Sequence, residues 1–412
     1  MQRRIFLQAS ASGLAFAGLG LAPRTLRAAA AAAAGQGPIL VVVIQRGACD
    51  ALSALPPVGE PRYYDLRPSL AIPKDEALRL DGFFGLHPAL SRLKPFYDAK
   101  VLAPVMGAGS PDPTRSHFDA QDFLESGTPG VKRTEDGCLD RALAAMPGTR
   151  GPFEAVALQP TLPRILQGPV PALALGSLDD FRLPEGPAAG GFESMYAAAL
   201  DRSLRGAGDE AFQAMKDLKA RDPRSIAPAP GADYPGSPLG KRMQQIAQLI
   251  KADLGLRIAV TDCGGWDTHV AQGAAKGQLS ARLQDFGDSL GAFLTDLSDR
   301  MDRICLVTLT EFGRTARENG TRGTDHGHGS AAFVAGGGVK GGRVLNAWKG
   351  LGDGDLNEGR DLKVAFEHRA LLGEALTKHL GLRDLGTVFP GYANDPRAWA
   401  GLLRASSGSP AA

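Results

Sequence analysis

Three short patches in the second half of the chain place carboxylates at glycine-rich turns, two of them beside histidine. They read Gly264-Gly265-Trp266-Asp267-Thr268-His269, Thr310-Glu311-Phe312-Gly313-Arg314 and Thr324-Asp325-His326-Gly327-His328-Gly329. The chain has only seven histidines, and His269, His326 and His328 fall here. Imidazole with carboxylate is a hard-to-borderline ligand set that suits zinc, manganese or iron. Asp267 and His269, two apart, both reach one ion from an extended loop. Asp325, His326 and His328 add a carboxylate and two imidazoles within four residues. Three ligands so close together crowd a single ion, so one of them is expected to support a neighbouring ligand or to meet substrate. The plain alternative is a capping aspartate with surface histidines.

Other residues fit around such a site. Glu311 stands at a strand tip as a ligand or a base, and Arg314 suits an oxyanion; a salt bridge between the two is equally compatible. Asp112-Pro113-Thr114-Arg115-Ser116-His117-Phe118-Asp119 leads from a loop into a helix. A hydroxyl at such a place is most often an N-cap. Thr114 or Ser116, beside Arg115 and His117, also suits a nucleophile that a metal deprotonates. In Arg46-Gly47-Ala48-Cys49-Asp50, Asp50 reads as a further ligand and Arg46 as a holder of anions. His87 reads as a packing and turn residue, and His368 and His379 as surface.

Elements must bring these patches together. Apolar, β-branched runs predict buried strands at Pro38–Ile44, Val101–Met106, Ala155–Leu158, Ala172–Leu175, Ile258–Thr261, Ile304–Thr308 and Ala331–Ala335. Leu279, Leu283, Phe286, Leu290, Phe293, Leu297 and Met301 recur at helical spacing, and a last helix runs from about His368 to Leu380. Strands alternating with helices predict an α/β fold with a doubly wound sheet. A helical insertion at about 177–235 reads as a cap on this domain, and the tail at 405–412 as disordered.

Bulk composition narrows the function classes. A net charge of +2, from 46 basic and 44 acidic residues with no basic run, argues against nucleic acid as a partner. Gln2-Arg3-Arg4-Ile5-Phe6-Leu7 followed by a short Gly/Ala-rich stretch resembles a twin-arginine leader over residues 1–34. That places the mature chain in the periplasm or outside the cell, with no membrane span after export. An oxidising compartment permits disulfides. Cys49 and Cys263 each follow a strand, so a bond between them is one expectation and buried free thiols the other.

Taken in order, several stretches resemble the bacterial DUF1501 family. They are Gln45–Leu52, Arg67–Pro73, Leu86–Leu90, Ser116–Gln121, Gly265–His269, Thr310–Thr315, Gly323–Gly327 and Phe389–Tyr392. That family looks like a branch of the alkaline phosphatase and sulfatase superfamily. The resemblance implies an alkaline phosphatase-like domain over about 38–400, with Asp and His ligands at strand ends and a Ser or Thr nucleophile. Asp267 and His269 resemble the superfamily's first ligand pair. Where the superfamily carries Asp-His-Gly, this chain has Glu311-Phe312-Gly313, one imidazole fewer. The sulfatase signature is absent, since Cys49 is followed by Asp50-Ala51-Leu52.

The expected function is a metal-dependent hydrolase of phosphate or sulfate esters on small molecules or polymers. Asp267, His269, His326 and His328 would hold a divalent ion, with Asp325, Glu311 and Asp50 as further or supporting ligands. Zinc is the first expectation, with manganese, iron or calcium compatible. Ser116, Thr114 or water would be the nucleophile, and Arg46, Arg115 or Arg314 would face the oxyanion. The second expectation is a binding protein on the same scaffold that keeps the metal for structure.

Overall fold

The computed structural model describes residues 37–148, 151–178, 217–218, 220–393 and 395–404. Residues 1–34, read as a leader, the tail at 405–412 and most of the segment read as a helical insertion at about 177–235 lie outside the described residues. Eight strands form one sheet: β1 (Ile39–Arg46), β2 (Leu102–Gly109), β3 (Ala155–Ala157), β4 (Leu173–Ala174), β5 (Ile258–Gly264), β6 (Ile304–Leu309), β7 (Ser330–Ala335) and β8 (Phe366–Glu367). Their order is β8-β2-β7-β6-β1-β5-β3-β4. β7 runs antiparallel to β2 and β6, and the remaining pairs are parallel.

The central strands begin as apolar runs because both faces of the sheet are covered, and polar residues enter toward their C-terminal ends. Ile39, Val41 and Val43 of β1 face one core, while Leu40, Val42 and Ile44 face the other. The first core packs against α3 (Pro238–Lys251) and α4 (Gln278–Asp296). The second packs against α2 (Cys138–Ala145) and α5 (His368–Lys378). α1 (His117–Ser126) ends on Gly127, whose φ of 66° is the left-handed conformation that closes a helix. The α/β, doubly wound, mostly parallel sheet read from the sequence is therefore present.

Of the two cysteine expectations the free thiols hold, and two other readings change. All four cysteines are free thiols, including Cys49 and Cys263. Burial raises both thiols, Cys263 to about 12. His368 is buried rather than on the surface. The helix read as running to Met301 ends at Asp296 and continues as a short 3₁₀ turn.

Candidate metal centre

The parallel strands β1, β5 and β6 lie side by side and end at one edge of the sheet, where ligands of open α/β sheets bind. Asp267 and His269 follow β5, Glu311 and Arg314 follow β6, and Asp325 and His326 lie on the loop entering β7. Close backbone approach holds these loops together. At Gly47, with φ of 118°, an added Cβ would lie 2.8 Å from the Asp267 amide nitrogen, and at Gly323 it would lie 2.1 Å from the His269 carbonyl. No side chain fits either place.

Three imidazoles and one carboxylate converge there. His326 Nε2 lies 3.1 Å from His117 Nε2, 3.0 Å from His269 Nε2 and 3.2 Å from Asp267 Oδ1. Asp267 also lies 3.0 Å from His269 Nε2 and 3.4 Å from His117 Nε2. Donors around a tetrahedral ion at about 2.1 Å are about 3.4 Å apart, so these separations suit a shared cation. His117, Asp267 and His326 together could hold a metal ion, and His269 adds a fourth donor at their side.

The other nitrogen of each ring decides what the cluster is. His117 Nδ1 meets Glu311 at 2.7 Å, His269 Nδ1 meets Asp325 at 3.0 Å, and His326 Nδ1 meets the Arg115 carbonyl at 2.9 Å. Carboxylates and carbonyls only accept, so each Nδ1 carries the hydrogen. Each neutral ring then presents its Nε2 lone pair inward. Lone pairs 3.0–3.1 Å apart, beside an ionised carboxylate, repel unless a proton or a cation lies among them. Carboxylate and carbonyl partners on the outer nitrogen are how metal-binding histidines are held and oriented.

The carboxylates are kept charged. Burial alone would raise Glu311, but hydrogen bonds from His117, Gln121 and the Gly47 amide outweigh it and hold it low. Burial likewise opposes ionisation of Asp267, and the Arg314 guanidinium, 2.6 Å from Oδ1, overcomes it. His117 is raised, chiefly by its bond to Glu311. His326 is lowered, chiefly by burial.

Asp267, His269 and His326 thus come together as read, with Asp325 and Glu311 behind them as supports. His117 was read only as a neighbour of the hydroxyls. In the structure its ring joins the cluster, with Glu311 on its outer nitrogen. His328 is placed apart: among the described residues its ring has no hydrogen bond to the cluster, and it lines a neighbouring pocket. Asp50 is a correction, because both its oxygens are taken by the Arg67 fork at 2.6 and 2.9 Å. The arginines are engaged as well. Arg46 binds Asp262 and Glu125, Arg115 binds Glu358 and Asp361, and Arg314 binds Asp267 and Thr324. Thr114 Oγ1 accepts from the Ser116 amide, and the exposed Ser116 makes no side-chain cap bond. Among the described residues neither hydroxyl hydrogen-bonds to a cluster side chain.

Gln272 was not singled out in the sequence, and it links the two loops. Fully buried, it donates to Asp50 and accepts from Thr268 and Thr324. Gln272→Met keeps the shape but leaves two hydroxyls and a carboxylate oxygen short of a partner. A loss of about 2 kcal/mol is expected, measured by urea unfolding; an unchanged midpoint would show that the link contributes nothing.

The chain is similar in structure to a phosphonate monoester hydrolase of Agrobacterium radiobacter, at 12% identity and a TM-score of 0.38 over 88% of this chain and 78% of that one. A likeness of that degree says nothing about chemistry. No curated protein matches the chain in sequence. The family described as "Protein of unknown function (DUF1501)" matches residues 102–390, and the chain belongs to that family.

Proposed function

We propose that the chain is a metal-dependent hydrolase of phosphate or sulfate esters with water as its nucleophile. One observation carries this reading: inward-facing Nε2 lone pairs meet at a place open to solvent. The His269 and Asp267 side chains are 40% and 42% exposed. Structural zinc sites are closed, whereas catalytic ones keep a position for water or substrate. His117, His326 and Asp267 would hold the ion, with His269 beside them and the fourth position open to water; zinc is first among the candidates. A divalent ion in such a site supplies Lewis acidity toward an ester oxygen and toward water.

The chain's own residues fix the geometry. Glu311, Asp325 and the Arg115 carbonyl orient the rings, and Arg314 holds Asp267. Water suits this site better than Ser116 or Thr114, since neither hydroxyl joins the cluster. In this reading the twin-arginine leader exports the chain to the periplasm or beyond. No helix among the described residues is long and apolar enough to cross a membrane.

A second reading has its own support. Arg46, Arg115 and Arg314 are all paired with carboxylates, which leaves none of them free for an oxyanion. That favours a binding protein with a structural metal. The test is turnover of 4-nitrophenyl phosphate and 4-nitrophenyl sulfate by the zinc-reconstituted chain. Hydrolysis that falls by about 10³-fold or more in His326→Ala supports the enzyme. Reconstituted chain without turnover supports the binding protein.

A further inference from the structure

Beside the cluster, on the same edge of the sheet, lies a pocket that the metal site does not use. Its volume is ≈ 560 Å³, within the range of small-molecule sites. His328, Lys363, Val364, Ala365, Glu367 and Tyr392 are among the residues that line it. It sits over β2, β7 and β8, next to the strands that carry the cluster. The two sites share a wall: His326 faces the cluster and His328 the pocket, with Gly327 between them. Residues two apart have Cα atoms at most about 7 Å apart, so the pocket adjoins the cluster.

The lining has a definite charge. Glu367 is neutralised by an ion pair with Arg369. The Lys363 ammonium donates to the Gly354 carbonyl at 2.9 Å, and no carboxylate pairs with it among the described residues. The His328 ring has no hydrogen-bond partner among them either. One unneutralised cation beside an imidazole and the Tyr392 phenol favours an anionic group, while Val364 and Ala365 supply apolar wall.

We propose that this pocket binds the leaving-group side of the substrate, and that this part is an organic group carrying a carboxylate. Lys363 is then a specificity-determining residue. The idea rests on the hydrolase reading, so its test has a part that needs no turnover.

In metal-free protein, prepared with a chelator, calorimetric titration compares 4-hydroxybenzoate with phenol. Binding of 4-hydroxybenzoate but not phenol, lost in Lys363→Glu and retained in Lys363→Arg, supports the pocket even if no ester is ever cleaved. In the zinc-loaded protein, 4-carboxyphenyl phosphate and phenyl phosphate are compared by product release. Lys363→Glu is expected to raise KM for the carboxylated ester about tenfold, with kcat and the plain ester unchanged. Equal binding of 4-hydroxybenzoate by wild type and Lys363→Glu, or equal KM changes for both esters, overturns the proposal. Carboxylate-selective binding in a protein that hydrolyses neither these phosphates nor 4-nitrophenyl sulfate overturns the hydrolase reading and leaves the pocket standing.

Discussion

Replacing His117 with alanine is expected to weaken zinc binding by about 100-fold or more, measured by competition with a chelating dye. The reason is geometric. His117 Nε2 lies 3.1 Å from His326 Nε2 and 3.4 Å from Asp267, so its loss removes one donor of the cluster. Glu311→Gln keeps that donor but weakens its orienter, since an amide in the wrong rotamer offers N–H to a ring nitrogen that already carries hydrogen. A loss of about 10- to 100-fold is expected, the usual effect of disturbing the group behind a ligand. His328→Ala is expected to leave affinity unchanged, since that ring faces the pocket. Equal losses for His117→Ala and His328→Ala would mean that the affinity reflects general damage and not this cluster.

The largest effect on stability is expected at Asp50. Its carboxylate and the Arg67 guanidinium are both fully buried and joined by two hydrogen bonds. Asp50→Ala leaves Arg67 as an uncompensated buried charge, and a loss of about 3–5 kcal/mol is expected from denaturant unfolding. Asp50→Ala/Arg67→Met is expected to recover part of it, because the stranded charge is gone. A single variant as stable as the wild type would show that the pair is not formed.

The same pair sets a pH dependence. Burial would raise Asp50, but Arg67 outweighs it and holds the carboxyl below its ordinary value. The unfolded chain therefore takes up the proton first as pH falls. The contribution of the pair is complete above about pH 4, the ordinary aspartate value, and is lost as pH drops toward the folded one. Asp50→Asn is expected to flatten the acid limb of the stability curve. An acid limb as steep as the wild type's would assign it to other carboxylates.

Much of the scaffold could be read from local sequence. β1 and β6 are continuous apolar runs because both faces of the sheet are covered, and α4 shows its stripe because one face alone is buried. The site was half legible. Asp267 with His269, and Asp325 with His326, declare themselves because ligand and neighbour stand within three residues on glycine-rich turns. His117 does not, because its orienter Glu311 is 194 residues away and only the pairing of β2 with β7 and of β7 with β6 carries α1, which follows β2, near that strand tip. Asp50 misled for the mirror-image reason. At a strand end it looks like a ligand, and nothing nearby announces that Arg67 folds back onto it. His328 shows the limit of spacing: two histidines two apart belong to different sites once the glycine between them turns the chain.

The most direct test of the central claim is zinc X-ray absorption on protein reconstituted with the metal and freed of excess by gel filtration, with His117→Ala/His326→Ala treated identically. The expected result is about one equivalent of zinc in the wild type, with the multiple-scattering signature of several imidazoles and none in the variant. Wild-type protein that emerges without metal, or a variant that keeps the same metal and the same imidazole signature, would contradict the account.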